Sequence, residues 1–389
     1  MGSQSTIKGF LTAARAALTA PASAKTRPLT LVIGNESADL DSLCSALLFA
    51  YLRSNIPKQP LHIPLCNLAR EDLKLRTELY PVLRHTGLDY NDLLTLSDLP
   101  QIASDDQADW LLVDHNALTG SLAKYQNRVL GCIDHHIDEK AVRKEAEPRV
   151  IEHAGSCATL IIDHYRSAWD EMRKDAASKD ENVKLAKIAL APILIDSDNL
   201  RSKEKMSEKD PIIAKLLEDV IADKDFDSAT YYKEIDTVKH DISSLTIPEI
   251  LRKDYKEWRE GDIQLGISCA VQGMDYLVEK AGSADTLYKH LGEWAEKRSL
   301  DVASIMTTSS PNGVFQRNLL VWGVTPNGQA ALAKFGDMFT DHLQLVQLDT
   351  GSLDRPGVSL AWNQKNLKAS RKQVAPALRE ALKAVKEKL

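Results

Sequence analysis

The sequence predicts two α/β domains: an N-terminal parallel sheet covered by helices on both faces, and a C-terminal domain of mixed α/β architecture, with the functional site in the cleft between them. Three observations support this. The first half alternates short, nearly continuous apolar runs with helix-period segments, the pattern of parallel strands buried on both faces by crossover helices. Acidic and histidine residues directly follow three of those runs. A highly charged stretch from Ser202 to Ser228 then leads into a second half whose strands are spaced for hairpin-like pairing.

Residues 29–34 (LTLVIG) form an apolar, β-branched run that stops at a glycine, as a buried strand does. A helix is expected from about Ser42 to Ser54, with Leu43, Ala46, Leu47 and Ala50 on one side. Further strands are expected at 61–66 (LHIPLC), 109–113 (DWLLV) and 128–133 (RVLGCI), and helices near 156–173 and 182–195. The charged stretch reads as a connecting helix plus linker. The expected division is 1–222 for the first domain, 223–229 for the linker and 230–389 for the second domain. In the second domain helices are expected at 230–241, 247–258, 274–299, 326–340 and from 374 to the end. Strands are expected at 262–271, 302–308, 317–324, 344–349 and 357–363.

With 389 residues, 43% of them apolar, the chain is long enough for two ordinary cores. A net charge of −6 argues against binding to a nucleic-acid polymer, which needs a basic face. It leaves room for a local basic funnel that draws in a small anion. The five cysteines (Cys44, Cys66, Cys132, Cys157, Cys269) form no CxxC pair. A disulfide framework is therefore not expected, and a reducing compartment, the cytoplasm, fits best. No apolar run reaches the roughly 18 residues of a membrane span. Up to Asn35 there is no acidic residue, while Lys8, Arg15, Lys25 and Arg27 are present, a composition shared with mitochondrial transit peptides. The mitochondrial matrix is therefore an alternative location. The preferred reading is an amphipathic helix packing Ile7, Phe10, Leu11 and Ala14 on the first domain. Met1-Gly2 with Thr6 also fits a loose myristoylation pattern, one short enough to arise by chance.

Asp39 and Asp41 follow the first strand, Asp114 closes the third, and Asp134, His135 and His136 close the fourth. In an open α/β sheet, groups at the carboxyl ends of strands converge in one crevice. With Asp196 added, Asp39, Asp41, Asp114, His135, His136 and Asp196 are six potential ligands for one or two metal ions. Carboxylates with imidazole suit Mg²⁺, Mn²⁺ or Co²⁺ better than a structural zinc, for which thiolates dominate. Two ions about 3.5–4 Å apart can clamp a phosphoryl group and acidify a water between them. Such a pair needs a central bridging carboxylate, for which Asp114 is the candidate. Taken singly, an aspartate after a strand is more often a helix N-cap, and adjacent histidines can be surface residues. Three acidic motifs after three strands favour a site.

These segments also carry a resemblance. GNESADLDS (34–42), VDHN (113–116), IDHH (133–136) and ILIDSDN (193–199) resemble the four successive motifs of the DHH phosphoesterase superfamily. ILRKDYKEW (250–258) and ASRKQVAP (369–376) resemble the DHHA2-type accessory domain of its second subfamily, which includes family II inorganic pyrophosphatases, animal prune phosphatases and fungal exopolyphosphatases. The resemblance covers nearly the whole chain and is closest to the fungal exopolyphosphatases. It implies hydrolysis of the terminal phosphoanhydride bond of inorganic polyphosphate, or of another short phosphoanhydride, by metal-activated water in a monomer. It also implies ligand sets: Asn35, Asp39, Asp114 and Asp196 around one metal, and Asp41, Asp114, His135 and Asp196 around the other. His136 would face the substrate phosphate, and Arg371 and Lys372 would close over it, which places Asp114, His136, Arg371 and Lys372 in the catalytic set. Asn116, where prune proteins have a basic residue, joins the substrate-binding groups.

Asp134 would orient a histidine, and Asp198 competes with Asp196, which follows the apolar run directly and matches the motif position. Pyrophosphatases have histidine where this chain has Asn35, so the first metal should bind less tightly and favour Mg²⁺. Charged segments beyond pyrophosphatase length bring Lys203, Lys205, Lys209 and Lys215, with Lys253 and Lys256 further on, as candidates for a polyanion channel; most of these read as solvent-facing. The rival readings are a pyrophosphatase or nucleotide phosphodiesterase using the same site, and a non-catalytic interaction scaffold, against which the intact ligand set speaks.

Overall fold

A computed structural model of the chain describes residues 6–21, 28–99, 107–348 and 352–386. Met1, Gly2, Lys25, Arg27 and the last residue of the expected strand 344–349 lie outside these. The chain forms two compact units, Met1–Lys239 and His240–Leu389.

The first unit holds five parallel strands, β1 (Leu29–Ile33), β2 (His62–Leu65), β3 (Ala108–Val113), β4 (Val129–Asp134) and β5 (Arg149–Ile151), in the order β2-β1-β3-β4-β5. All five residues of β1 and all six of β3 are buried, which is why these strands read as unbroken apolar runs. Val32, Leu111, Val113 and Ile133 pack into one core with the helices α2 (Leu40–Ser54), α3 (Leu79–Thr86), α4 (Cys157–Met172) and α5 (Lys179–Asp196). Alternate residues such as Leu31, Ile33, Trp110, Leu112 and Cys132 pack into a second core with Ala14 and Leu18. Those two belong to α1 (Ile7–Thr19), the expected amphipathic helix, which buries Ile7, Phe10, Leu11 and Ala14. Between β1 and β3 the strand order reverses, so the carboxyl ends of these two strands flank the crevice where such sheets bind ligands.

The charged stretch read as connector belongs to the first core. Helix α6 (Lys209–Ile221) buries Ile213, Leu217 and Ile221, spaced four apart beneath its charged surface, and α7 (Ser228–His240) buries Tyr231 and Ile235. The expected start of the second domain at 230 thus falls inside a helix of the first unit.

In the second unit six strands, β6 (Tyr255–Glu260), β7 (Ile263–Ala270), β8 (Val302–Ser309), β9 (Gln316–Gly323), β10 (Leu345–Gln347) and β11 (Ser359–Gln364), run in the order β10-β11-β9-β8-β7-β6. Only the β7–β8 pair is parallel. The expected helix 247–258 is in fact α8 (Ile247–Lys253) followed by β6, which turns back onto β7 at Gly261 with φ of 63°. The expected helix 274–299 divides into α9 (Met274–Ala281) and α10 (Ala284–Arg298), because Gly282 takes φ of 87° and Ser283 caps the next helix. Helices α11 (Pro326–Leu343) and α12 (Arg371–Lys386) complete the unit. No described helix is long and apolar enough to cross a membrane.

Trp169 of α4 is 1% exposed and its Nε1 donates to Asn182 Oδ1 of α5 at 2.9 Å. Trp169→Ala should therefore destabilise the first unit by about 3–5 kcal/mol in urea unfolding of the metal-free protein. A loss below about 1 kcal/mol would show that the α4–α5 face is not packed this way.

Candidate metal centre

The site forms where β1, β3 and β4 end. After β1 the chain turns at Gly34, where a Cβ would lie 2.6 Å from the Cβ of Ser42, so only glycine allows the strand to meet the start of α2. Ala38 takes φ of 45°, and the buried Arg76 holds this turn by donating from Nε to the Ala38 carbonyl at 2.7 Å and from Nη2 to that of Ser37. Asp39 then caps α2, accepting from Ser42 N at 3.0 Å, so its N-cap role coexists with its place beside the other carboxylates.

Asp114 is the centre of the cluster. It is 1% exposed and follows β3 in the left-handed region, φ 60°, a conformation that aspartate tolerates better than most residues. Its Oδ2 accepts from Ser42 Oγ at 2.6 Å and Asn35 Nδ2 at 2.7 Å, while its Oδ1 lies 3.1 Å from His135 Nε2 and 3.6 Å from His136 Nδ1. Burial alone would raise the Asp114 carboxyl, but the His135 hydrogen bond and the two histidine charges, with Ser42, pull it well below the usual range. Ligand atoms of Asp114, His135 and His136 all lie within 4.8 Å of one another.

The histidine states follow from their partners. His135 Nδ1 lies 2.8 Å from the Ala154 carbonyl, which can only accept, so the Nδ1–H is fixed there and Nε2 faces the carboxylates. Nε2 then points at Asp114 and, at 3.9 Å, at Asp41 Oδ2, both acceptors. This leaves two ways to satisfy the ring: a second proton or a cation. His136 is oriented differently, by Asp134. The 0%-exposed Asp134 accepts at Oδ1 from His136 N (3.1 Å) and Nδ1 (2.8 Å), the orienting role expected of it.

Asp41, 3% exposed, accepts from Ser45 Oγ (3.0 Å), Ser156 Oγ (2.8 Å), Cys157 N (2.7 Å) and Ala158 N (3.2 Å) at the start of α4. A helix N-terminus favours its charge. Desolvation first, then the charges of Asp114 and Asp196, still push its carboxyl well above the usual range. Asp196 is the last residue of α5, so it faces the negative end of a helix dipole. Desolvation, opposed by Lys239 and reinforced by Asp39 and Asp114, pushes it up to about 6. Beyond Ser197, residues Asp198, Asn199 and Leu200 all take positive φ, and Asp198 is engaged by Tyr232 OH (2.7 Å) and Arg201 Nη2 (2.8 Å), whereas Asp196 has Asp39, Asp114 and His135 as its electrostatic neighbours. Crowded, mutually repelling carboxylates and an imidazole nitrogen aimed at acceptors fit a hard divalent cation.

Two expected residues play other parts. Asn116 is 1% exposed; its Nδ2 donates to Asp134 Oδ2 (2.6 Å) and the Ile137 carbonyl (3.0 Å), and its Oδ1 accepts from Glu139 N (2.7 Å). These contacts shape the loop after β4. Asn35 donates to Asp114 and accepts from Ser37 N at 2.8 Å, so its observed role is to hold Asp114; only a remaining oxygen lone pair is left for an ion. In the second unit Arg371 begins α12 and pairs with Asp254 at 2.8 Å, while Lys372 is exposed. Among the lysines expected to line a channel, Lys209 pairs with Glu152 and Asp163, Lys215 with Asp219, and Lys253 is buried.

The chain is similar to known proteins along nearly its whole length. Residues 30–193 match the DHH family N-terminal domain and residues 233–381 match the DHHA2 domain. The chain is 30% identical to the "Putative exopolyphosphatase" of Schizosaccharomyces pombe over 92% of each chain. It is 27% identical to human "Exopolyphosphatase PRUNE1", covering 97% of this chain and 80% of the relative. It is 28% identical to the "Probable manganese-dependent inorganic pyrophosphatase" of Bacillus licheniformis, covering 91% and 98%. In fold it is similar to a structure described as a Methanococcus jannaschii putative family II inorganic pyrophosphatase, with a TM-score of 0.59 at 21% identity over 91% of this chain and all of the other. With its motif residues gathered at the ends of β1, β3 and β4 and relatives matched along nearly its full length, the chain belongs to the DHH family, among the members that carry a DHHA2 domain.

Proposed function

We propose that this chain is a metal-dependent phosphoanhydride hydrolase that removes terminal orthophosphate from inorganic polyphosphate. The observation that carries this is the convergence of Asp39, Asp41, Asp114 and Asp196 with His135, whose Nε2 faces carboxylates because Nδ1 is fixed on Ala154. The residues that would hold one or two ions, Mg²⁺ or Mn²⁺ with Co²⁺ as a substitute, are Asp39, Asp41, Asp114, His135 and Asp196, with Asn35 contributing through its remaining lone pair. An ion bound there supplies positive charge against phosphoryl oxygens and acidifies a water.

The chain's own groups do the rest. Asp114 would bridge, because two elements of the sheet and both histidines meet on it. His136, its Nδ1 held by Asp134, would present the opposite ring nitrogen as a donor to a phosphate oxygen. Arg371 offers a planar fork suited to phosphate, and Lys372 a point charge beside it. The names of the fungal and animal relatives favour polyphosphate as substrate. The Bacillus relative supports a second reading, pyrophosphate hydrolysis, on the same site. Phosphate release from pyrophosphate, tripolyphosphate and long-chain polyphosphate, compared at saturating Mg²⁺ and Mn²⁺, separates these. Turnover confined to pyrophosphate would overturn the first reading, and no turnover of any of the three would overturn both.

Asp114→Asn removes charge without volume, so turnover should fall at least ~10³-fold while circular dichroism stays unchanged. Activity within tenfold of wild type at saturating metal would eliminate a bridging Asp114. Arg371→Ala should lower kcat as well as raise KM, since a phosphate grip tightens in the transition state. Arg371→Lys should recover only part of the loss, because an ammonium cannot copy the fork. Unchanged kinetics in Arg371→Ala and Lys372→Ala would remove both from the reaction.

A further inference from the structure

We infer that Asp210, on the first turn of α6, is a positioning residue for the metal centre, acting through the turn 154–159 on both His135 and Asp41. The inference rests on the metal reading above and adds a residue to it. That turn does two things. Through the Ala154 carbonyl it fixes the Nδ1–H of His135, which sets the ring so that Nε2 faces Asp114. Through Ser156 Oγ, Cys157 N and Ala158 N it holds both oxygens of Asp41. Any shift of the turn therefore moves two proposed ligands at once.

Asp210 holds the turn from behind. It is 0% exposed and accepts four hydrogen bonds. Its Oδ2 takes Gly155 N at 2.9 Å, Ser207 N at 2.7 Å and Ser207 Oγ at 2.9 Å, and its Oδ1 takes Thr159 Oγ1 at 2.6 Å. The two contacts to the turn, one residue before the cap of α4 and within its first turn, bracket Ser156, Cys157 and Ala158, which hold Asp41, and the first adjoins Ala154, which holds His135. A Cβ on Gly155 would lie 3.0 Å from Asp210 Oδ1, so glycine at this position is what lets the carboxylate come so close. Cys157 Sγ, 3.1 Å from the Ile133 carbonyl, ties the same turn to the end of β4, just before Asp134 and His135. A buried carboxylate is costly unless fully hydrogen-bonded, and this one is satisfied in a way that makes α6 part of the site's frame. Groups behind a ligand fix its ring or carboxylate orientation, and losing one typically weakens metal affinity 10–100-fold.

The test is Mn²⁺ binding, measured as a dissociation constant by equilibrium dialysis and electron paramagnetic resonance on the full chain, with the melting temperature of the metal-free protein recorded in parallel. Asp210→Asn should weaken Mn²⁺ binding 10–100-fold. Thr159→Val, nearly the same shape without the hydroxyl, should weaken it by about tenfold, and Thr159→Ser, which keeps the hydroxyl, should stay within about twofold of wild type. Asn182→Ala supplies the contrast: it breaks buried hydrogen bonds with Trp169 and Ser178 in the same unit but touches none of these residues. It should lower the melting temperature and leave Mn²⁺ affinity within about twofold. If Asp210→Asn does not fold, the Thr159→Val and Thr159→Ser pair decides. Folded Thr159→Val and Asp210→Asn proteins that bind Mn²⁺ like wild type overturn the positioning role alone. An affinity loss in Asn182→Ala equal to that in Thr159→Val also overturns it, since the effect would then be general destabilisation. A wild-type chain that binds no Mn²⁺ overturns the metal reading itself.

Discussion

Repulsion among buried carboxylates is the constraint on which the rest of this site depends. His135 Nε2 lies 3.1 Å from Asp114 Oδ1 and 3.9 Å from Asp41 Oδ2, so those two oxygens are no more than about 7 Å apart. With both groups ionised and an effective dielectric constant of about 20, that pair repels by roughly 2 kcal/mol; Asp196 adds a further pair, and the solvent-exposed Asp39 adds less. Against a total stability of about 5–15 kcal/mol for a typical domain, that is a large cost to build into a fold. The fold tolerates it because the strand order of the sheet brings the ends of β1 and β3 together and the surrounding structure supplies donors to Asp114, Asp41 and Asp39.

The surroundings are uneven, and they distinguish Asp114, Asp41 and Asp196. Asp114 receives Ser42, Asn35 and a histidine, and its carboxyl is drawn low. Asp41 sits at the start of α4 with two backbone N–H groups and two serines, yet desolvation and its neighbours dominate. Asp196 stands at the wrong end of α5 for a negative charge and is raised to about 6. A cation at their centre would offset the repulsion at all of them, most at the two that are raised. Folding and ion binding would then be coupled: a scaffold of α2, α4 and, on the inference above, α6 would hold the carboxylates close in advance, and the ion would offset that repulsion.

Much of this was legible in the chain. Strands of the first unit are buried on both faces, so their apolar runs stood out, and the residues closing them marked the crevice. What the sequence hid depended on contacts between distant segments. Helix α6 was masked by its charged surface, although Ile213, Leu217 and Ile221 kept helical spacing beneath it. Strand β6 looked like a continuation of α8, because a half-buried strand of Lys, Trp and Arg has no local mark apart from its partner β7. Asn116 is marked in the sequence by its place in a motif, whereas its buried contacts with Asp134 and Ile137 arise only on folding. Arg76 had no local signal at all. Asp210 had one: Ser207 and Asp210 stand three apart ahead of an apolar helical run, the spacing of a capping box, but nothing near it in sequence points to Gly155 or Thr159.

The central claim, that this carboxylate cluster exists to bind a divalent cation, is tested most directly by anomalous scattering from crystals grown with Mn²⁺. The account predicts one or two strong peaks within bonding distance of Asp114 and His135 Nε2, with Asp41 and Asp196 completing the shell. Crystals at saturating Mn²⁺ with no anomalous peak at these residues, or with peaks only elsewhere on the chain, would contradict it.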